Sequence, residues 1–306
     1  MTWVVFAALT VILWGTSETI FKSVSNNEKD SVLKLISYNG LVLGICSLIY
    51  MVITKTEMSF DMILTYLPVS LIFITSMFCT YAAMRYVKVS ITSPIQNSAC
   101  ALSSILCILI LGQEVNVIHA IAIVAIIIGL ILISINKDEN DCENEEKQTK
   151  SRKVFLIGIG FALMYWVLDG FGSFMDENLL EETLTADQLF ISYGLIYMSV
   201  AILAGIALQV IKYIKKQKGT YEEEIVPSKI FRAKKLFGAL VETSGQFTYT
   251  YAYFFGDGSI VAPFIASYCI VTMLFSRIFL KEKLSIRQYI LIGIILISLI
   301  TLSVEI

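Results

Sequence analysis

The chain has 306 residues and a formal net charge of −2, with 16% of residues charged and 57% hydrophobic. A soluble globular protein carries about 25% charged residues, and the mean hydropathy here is +0.76. Those values exclude a water-soluble domain and predict a chain built for the bilayer.

Ten apolar runs follow one another, near 2–22, 32–54, 61–84, 89–111, 115–135, 154–175, 188–211, 235–255, 258–280 and 287–304. Each is about as long as the roughly 20 residues that cross a 30 Å hydrocarbon core. None has the strict alternation of a membrane β-strand, so an all-α membrane protein of ten transmembrane helices is expected.

In span one, Trp14 and Glu18 are four residues apart and share a face, with Lys22 another four on. Two readings follow. Glu18 and Lys22 form a pair snorkelling at the helix end, or Glu18 is a counter-charge with Trp14 as an aromatic wall beside it. Span four carries Ser93 and Asn97 on one face. The segment 136–153 has no apolar run and reads as an exposed, mobile cytoplasmic linker between residues 1–135 and 154–306. In span six, Asp169 follows Tyr165 and Trp166 by a turn and precedes Ser173, with no base within a turn. It lines a cavity, or it nears an interface where Asp176 and Glu177 already mark water.

Span eight is the most polar. Glu242, Gln246, Tyr249 and Tyr253 recur at intervals of four, seven and eleven residues and form one stripe. Facing lipid, that stripe would leave its hydrogen-bonding groups unused, so it is expected to face the interior. Tyr251 lies off the stripe and suits an interfacial belt. Span nine adds Tyr268 and Thr272, which serve either a cavity or helix–helix contact. Five cysteines lie within spans and Cys142 in a loop, with no CxxC spacing, so all read as packing residues.

With ten spans, loops alternate between the two faces. One face receives every basic residue but Lys55, 22 of the 23. The opposite face has the 176–187 loop, with Asp176, Glu177, Glu181, Glu182 and Asp187 and no base. Basic loops remain cytoplasmic, so both termini are expected outside, with the 136–153 and 212–235 loops in the cytoplasm. The basic 212–235 segment then sets topology and meets lipid headgroups rather than nucleic acid. No signal peptide is expected, since no basic n-region or small-residue cleavage site is present.

The halves are weakly alike. Setting Pro94 on Pro263 also pairs Ala83 with Ala252, Ser90 with Ser259, Ser98 with Ser267 and Cys100 with Cys269. Trp14 is paired with Trp166 in the same way. Because five is odd, two five-helix repeats must be inverted relative to each other, a plan of transporters with a midplane site.

The Leu13–Trp14–Gly15 triplet, the Ser90–Pro94 and Ser259–Pro263 spacing and LKEKLS at 280–285 before a helix with Gly293 resemble the drug/metabolite transporter superfamily, more narrowly its EamA-like branch. The resemblance covers nearly the whole chain. It implies a single-chain metabolite carrier or exporter with a central cavity lined mainly by spans 1, 3, 4, 6, 8 and 9. Many members are held to keep their termini inside, against the charge pattern read above.

Trp14, Glu18, Asn97, Trp166, Asp169, Glu242, Gln246, Tyr249 and Tyr268 are the expected solute-binding residues. An ionised carboxylate within the membrane costs about 2.5–3.5 kcal/mol on insertion scales, so such acids call for a function. Rings beside carboxylates suit an organic cation, or a zwitterion, choline-like or amino-acid-like; the resemblance extends to carriers of such solutes. Proton coupling through Glu18 or Glu242 is the other use for these acids. No Walker loop or dinucleotide fingerprint is present, and the lone His119 reads as a surface residue. Neither an enzyme, a cofactor nor a metal is therefore expected. A secondary transporter working by alternating access on a small molecule is the main expectation, and a non-transporting sensor subunit or lipid-associated enzyme the alternative. The sequence says nothing about oligomeric state.

Overall fold

The structure, a computed structural model, describes residues 2–25, 31–86, 96–134, 145–217, 229–279 and 286–303. Ser90–Pro94 with Ser93, the LKEKLS segment and Cys142 lie outside them. In chain order the helices are α1 (Thr2–Ser25), α2 (Ser31–Thr54), α3 (Phe60–Tyr86), α4 (Ala99–Ile110), α5 (Val117–Ser134), α6 (Glu145–Glu182), α7 (Ala186–Gln217), α8 (Lys229–Phe255), α9 (Gly258–Ala266), α10 (Tyr268–Phe279) and α11 (Ile286–Ser303). The described residues contain no strand.

Among the described residues six stretches are long and apolar enough to cross a membrane: Thr2–Phe21, Val32–Thr54, Phe60–Ala83, Phe155–Glu182, Ala186–Gln217 and Gly258–Phe279. Ala99–Ile110, Val117–Gly129 and Tyr289–Thr301 are apolar but shorter. The remaining helix, α8, has the length but not the hydropathy, because its inner stripe holds Glu242, Gln246 and tyrosines. Large apolar side chains such as Val52, Leu109, Ile121, Leu203 and Ile297 are exposed on the bundle's outside, as a bilayer solvent requires.

Several sequence expectations are corrected. Helix α6 begins at Glu145, so residues 145–153 of the expected linker are helical. It also runs seven residues past the expected end to Glu182, and Asp176 and Glu177 are 0% and 2% exposed. They lie inside the protein and do not mark water. The expected loop at 212–235 is helical up to Gln217 and again from Lys229. His119 is buried, its backbone N–H bonded to the Asn116 side chain 2.8 Å away.

The two halves of the chain interleave. Helix α1 packs mainly on α8, and α6 mainly on α3. Helix α1 also meets α10, as α6 meets α4. Helix α2 meets α8, as α7 meets α3, while α2 with α7 and α5 with α11 form pairs across the halves. Small residues allow the closest approaches, as expected where lipid gives helices no hydrophobic reason to associate. A Cβ built on Gly40 would lie 2.6 Å from the Tyr197 carbonyl, and one on Gly44 would lie 2.3 Å from Met198 Cβ.

Two glycines play matching parts. A Cβ on Gly15 would lie 2.8 Å from the Tyr268 carbonyl and 2.5 Å from Val271 Cβ, and one on Gly170 would lie 2.8 Å from the Ala99 carbonyl and 2.9 Å from Leu102 Cβ. Tyr268 and Val271 stand to Ala99 and Leu102 as Pro263 stands to Pro94. Aligned on these contacts, Trp14 falls on Asp169, one turn from the Trp166 that the sequence comparison suggested. The helix breaks also match. Ser98 has φ −70°, ψ −4° and Ser267 φ −67°, ψ −4°. Each carbonyl accepts from the third residue on, Ala101 at 3.0 Å and Ile270 at 2.9 Å. Pro263 has no N–H to offer the Ser259 carbonyl, and the Ser104 hydroxyl donates to it instead at 2.9 Å.

Candidate functional site: a tyrosine-lined central cavity

The interleaved helices enclose a central cavity of about 130 Å³, measured over the positions open to the centre of a water molecule. One water needs about 10–15 Å³ on that measure, so a small solute fits. Among the described residues none of α5 or α11 lines it, whereas α2 and α7 do, through Asn39, Tyr193 and Tyr197. The expected set of lining spans therefore gains spans two and seven.

Eight of the nine expected residues meet here: Trp14, Glu18, Asn97, Asp169, Glu242, Gln246, Tyr249 and Tyr268. Trp166 is not in the lining. Tyr165 and Asp169 are four apart on α6 and share the inward face, and Trp166 is turned about 100° from Tyr165. On α8 the whole stripe from Glu242 to Tyr253 lines the cavity. Tyr251 points elsewhere and donates to Asp187, which also accepts from Tyr50 at 2.7 Å.

The aromatic wall is built on Trp14. Gly245 lets the indole edge approach α8 closely, since a Cβ there would be 2.4 Å from Trp14 Cδ1. Tyr249 stacks on the indole at 5.1 Å and 27°, and Tyr268 meets it edge-on at 5.9 Å and 82°. Opposite, Tyr193 and Tyr197 lie 5.6 Å apart on α7. Asn39 donates to the Tyr81 hydroxyl at 2.6 Å. These positions are legible in the sequence only as an isolated Asn within span two and tyrosines at a four-residue interval in span seven.

Three carboxylates enter the cavity. Glu18 Oε2 accepts from Thr272 Oγ1 at 2.6 Å; the Lys22 side chain, its expected alternative partner, lies outside the described residues. Glu242 accepts from the Ser17 hydroxyl. Asp169 has Tyr165 as its hydroxyl neighbour. No Lys, Arg or His is among the described lining residues. Trp14 Nε1, Asn39 Oδ1 and Tyr197 Oη are buried without a hydrogen-bond partner in the protein. They are donors and acceptors that a polar solute or water can satisfy. Among the described residues no group of three His, Cys, Asp or Glu could hold a metal ion.

One end of the bundle is tied across helices. Glu177 Oε1 accepts from the Gly258 N–H at 2.7 Å and from Gln113 Nε2 at 2.6 Å. Gln113 Oε1 accepts from the Ser259 N–H at 3.0 Å. A buried carboxylate thus meets the N-terminus of α9, where helix N–H groups have no partner of their own.

The sequence model of the EamA-like transporter family matches residues 1–135 and 156–304. A solved crystal structure of a protein is similar in fold, with a TM-score of 0.76 at 10% identity over 99% of this chain and 98% of that one. No curated protein matches by sequence.

Proposed function

This chain belongs to the EamA-like transporter family, a family of multi-pass membrane transporters of small solutes, and we propose that it carries a cationic or zwitterionic metabolite across the cell membrane by alternating access. The observation that carries this reading is the lining itself: three carboxylates and seven tyrosines with Trp14, and no described base. A quaternary or primary ammonium group is held by ring faces, worth about 0.5–2 kcal/mol each, and by net negative charge. An anion such as a sugar phosphate would find no counter-charge there. A choline-like or amino-acid-like compound matches these requirements.

In this reading the helices form ten spans, two inverted five-helix repeats, 1–135 and 154–306. The separate family matches over each half support it, as do the matched breaks at Ser98 and Ser267 and the paired helix contacts. The shorter apolar helices α4, α5 and α11 count as spans in this reading, and α8 crosses enclosed by neighbours. In this reading charge bias places both termini outside, which makes the Glu177-tied end the outer one.

Thermal-shift measurements on the purified protein against choline, polyamines, amino acids and nucleotide sugars test the substrate class, since a bound solute stabilises by mass action. Stabilisation by cations, reduced about 10–100-fold in apparent affinity by Glu242→Gln and Asp169→Asn, is expected from a charge pair worth about 4 kcal/mol at 4 Å less its desolvation. Stabilisation by nucleotide sugars alone, or cation binding that ignores both substitutions, would overturn the reading.

A further inference from the structure

Asp176 takes no part in the cavity lining, yet it is among the least accessible side chains in the protein, at 0% exposure. It lies on the same face of α6 as Asp169 and Ser173, at intervals of seven and three residues, about 10 Å further along the axis. One oxygen, Oδ1, accepts from the Tyr66 hydroxyl at 2.7 Å, while the other, Oδ2, makes no well-formed hydrogen bond and has the Tyr249 hydroxyl as its neighbour. A carboxylate that only served packing would be expected to satisfy both oxygens or meet a cation.

From α4 the Cys100 and Cys107 thiols face Asp169 and Glu177, and the titratable groups set against Asp176 itself are hydroxyls and acids. They are Tyr66 of α3, Tyr193 of α7, Tyr249 of α8 and, on its own helix, Asp169. No base is among them. Tyr193, Tyr249 and Ser173 also line the cavity, so the hydroxyls that roof Asp176 are at the same time the cavity floor. Tyr249 Oη is itself buried, between the Ser173 hydroxyl and the Asp176 carboxyl. Beyond Asp176 towards the tied end comes Glu177, fixed on Gly258.

We propose that Asp176 is a proton-carrying site, separate from the solute site, which exchanges its proton with cavity water or Asp169 past the Ser173 and Tyr249 hydroxyls. The exchange involves one proton and no change in electrons. Asp176–COOH becomes the carboxylate as the proton passes to Asp169 or to cavity water, and the reverse transfer restores the acid. With a cation bound among Glu18, Asp169 and Glu242, a charged Asp176 has a counter-charge nearby. With the cavity free of cation it has none, and the neutral acid is the form the site tolerates. Proton release and cation entry are thereby linked. This coupling rests on the cation reading above; the existence of the proton site does not.

Two measurements separate the two. Infrared difference spectra of the lipid-reconstituted protein between acidic and alkaline buffer report protonated carboxyl groups directly and need no solute. A carboxyl band that titrates, disappears in Asp176→Asn and shifts in position in Tyr66→Phe is expected. The Tyr66→Phe variant keeps the acid and guards against a folding failure in the other. A titrating band unchanged by both variants, or no such band, overturns the proton site. In vesicles holding a pH dye, with choline as the probe, the wild type is expected to change lumenal pH as choline moves. Asp176→Asn should abolish the pH change while choline still stabilises the purified variant as it does the wild type, whereas Asp169→Asn should weaken choline binding itself by the factor of about 10–100 given above. Choline movement without any pH change in the wild type overturns the coupling. A wild type that neither binds nor moves choline overturns the cation reading and the coupling built on it, while the infrared spectra still decide whether Asp176 holds a proton.

Discussion

Replacing Gly15 or Gly170 by Ala tests the helix crossings on which the site is built. At Gly15 the new methyl carbon would lie 2.5 Å from Val271 Cβ and 2.8 Å from the Tyr268 carbonyl, and at Gly170 2.8 Å from the Ala99 carbonyl. Ordinary contact begins at 3.4 Å, so helices must separate by several tenths of an ångström against a backbone atom that cannot rotate away. Overpacking of this kind costs about 1–3 kcal/mol. Against it stands the gain of about 0.5–1 kcal/mol for replacing a glycine within a helix. At Gly205 and Gly293 a Cβ meets nothing within 4 Å, so only the gain applies. The two pairs are therefore expected to differ in sign. Thermal melting of the purified variants, followed by tryptophan fluorescence, should place Gly15→Ala and Gly170→Ala below the wild type and Gly205→Ala and Gly293→Ala at or slightly above it. At about 2–4 °C per kcal/mol the separation is several degrees. If Gly15→Ala and Gly170→Ala melt as high as Gly205→Ala, the close crossings of α1 with α10 and of α6 with α4 are wrong.

Trp14→Ala removes the ring on which Tyr249 and Tyr268 rest and should weaken solute binding at least tenfold, with Trp166→Ala within a factor of about two; equal losses would mean the inward face of α6 is misassigned. Glu177→Ala removes a charge-assisted bond to α9 worth about 1.5–3 kcal/mol. Cys107, 0% exposed beside Gly258, should then react faster with a small maleimide, and unchanged labelling would deny Glu177 its tying role. A reporter fused after Ile306 is expected to be active only on the outer side of the membrane; activity confined to the cytoplasm would reverse the orientation.

Much of the site was legible because membrane helices conceal little. A polar residue within an apolar run has few places to go, so the stripe from Glu242 to Tyr253, the Trp14–Glu18 face and Asp169 could be read from their spacing alone. The apolar positions carried no such information. Lipid is as apolar as a protein core, so hydrophobicity does not distinguish the face turned to a neighbour from the face turned to the bilayer. Asn39 of α2 is a polar residue that the same rule picks out, whereas the place of Tyr193 and Tyr197 of α7 in the cavity, and of Trp166 outside it, does not follow from spacing. An aromatic ring satisfies a cavity, a core or an interface equally well.

What the sequence determined by itself is the solvent of this protein, the approximate position of its apolar helices and the polar faces that turn inward. These follow from local composition and helical period, which need no partner to be expressed. Only the tertiary structure decided that α6 runs on through Asp176 and Glu177 and buries both, and that each half packs mainly on the other. It also decided that Gly15 and Gly170 approach matching carbonyls at two matching breaks. Those features depend on contacts between residues far apart in the chain, and nothing in the spacing of either partner specifies the other.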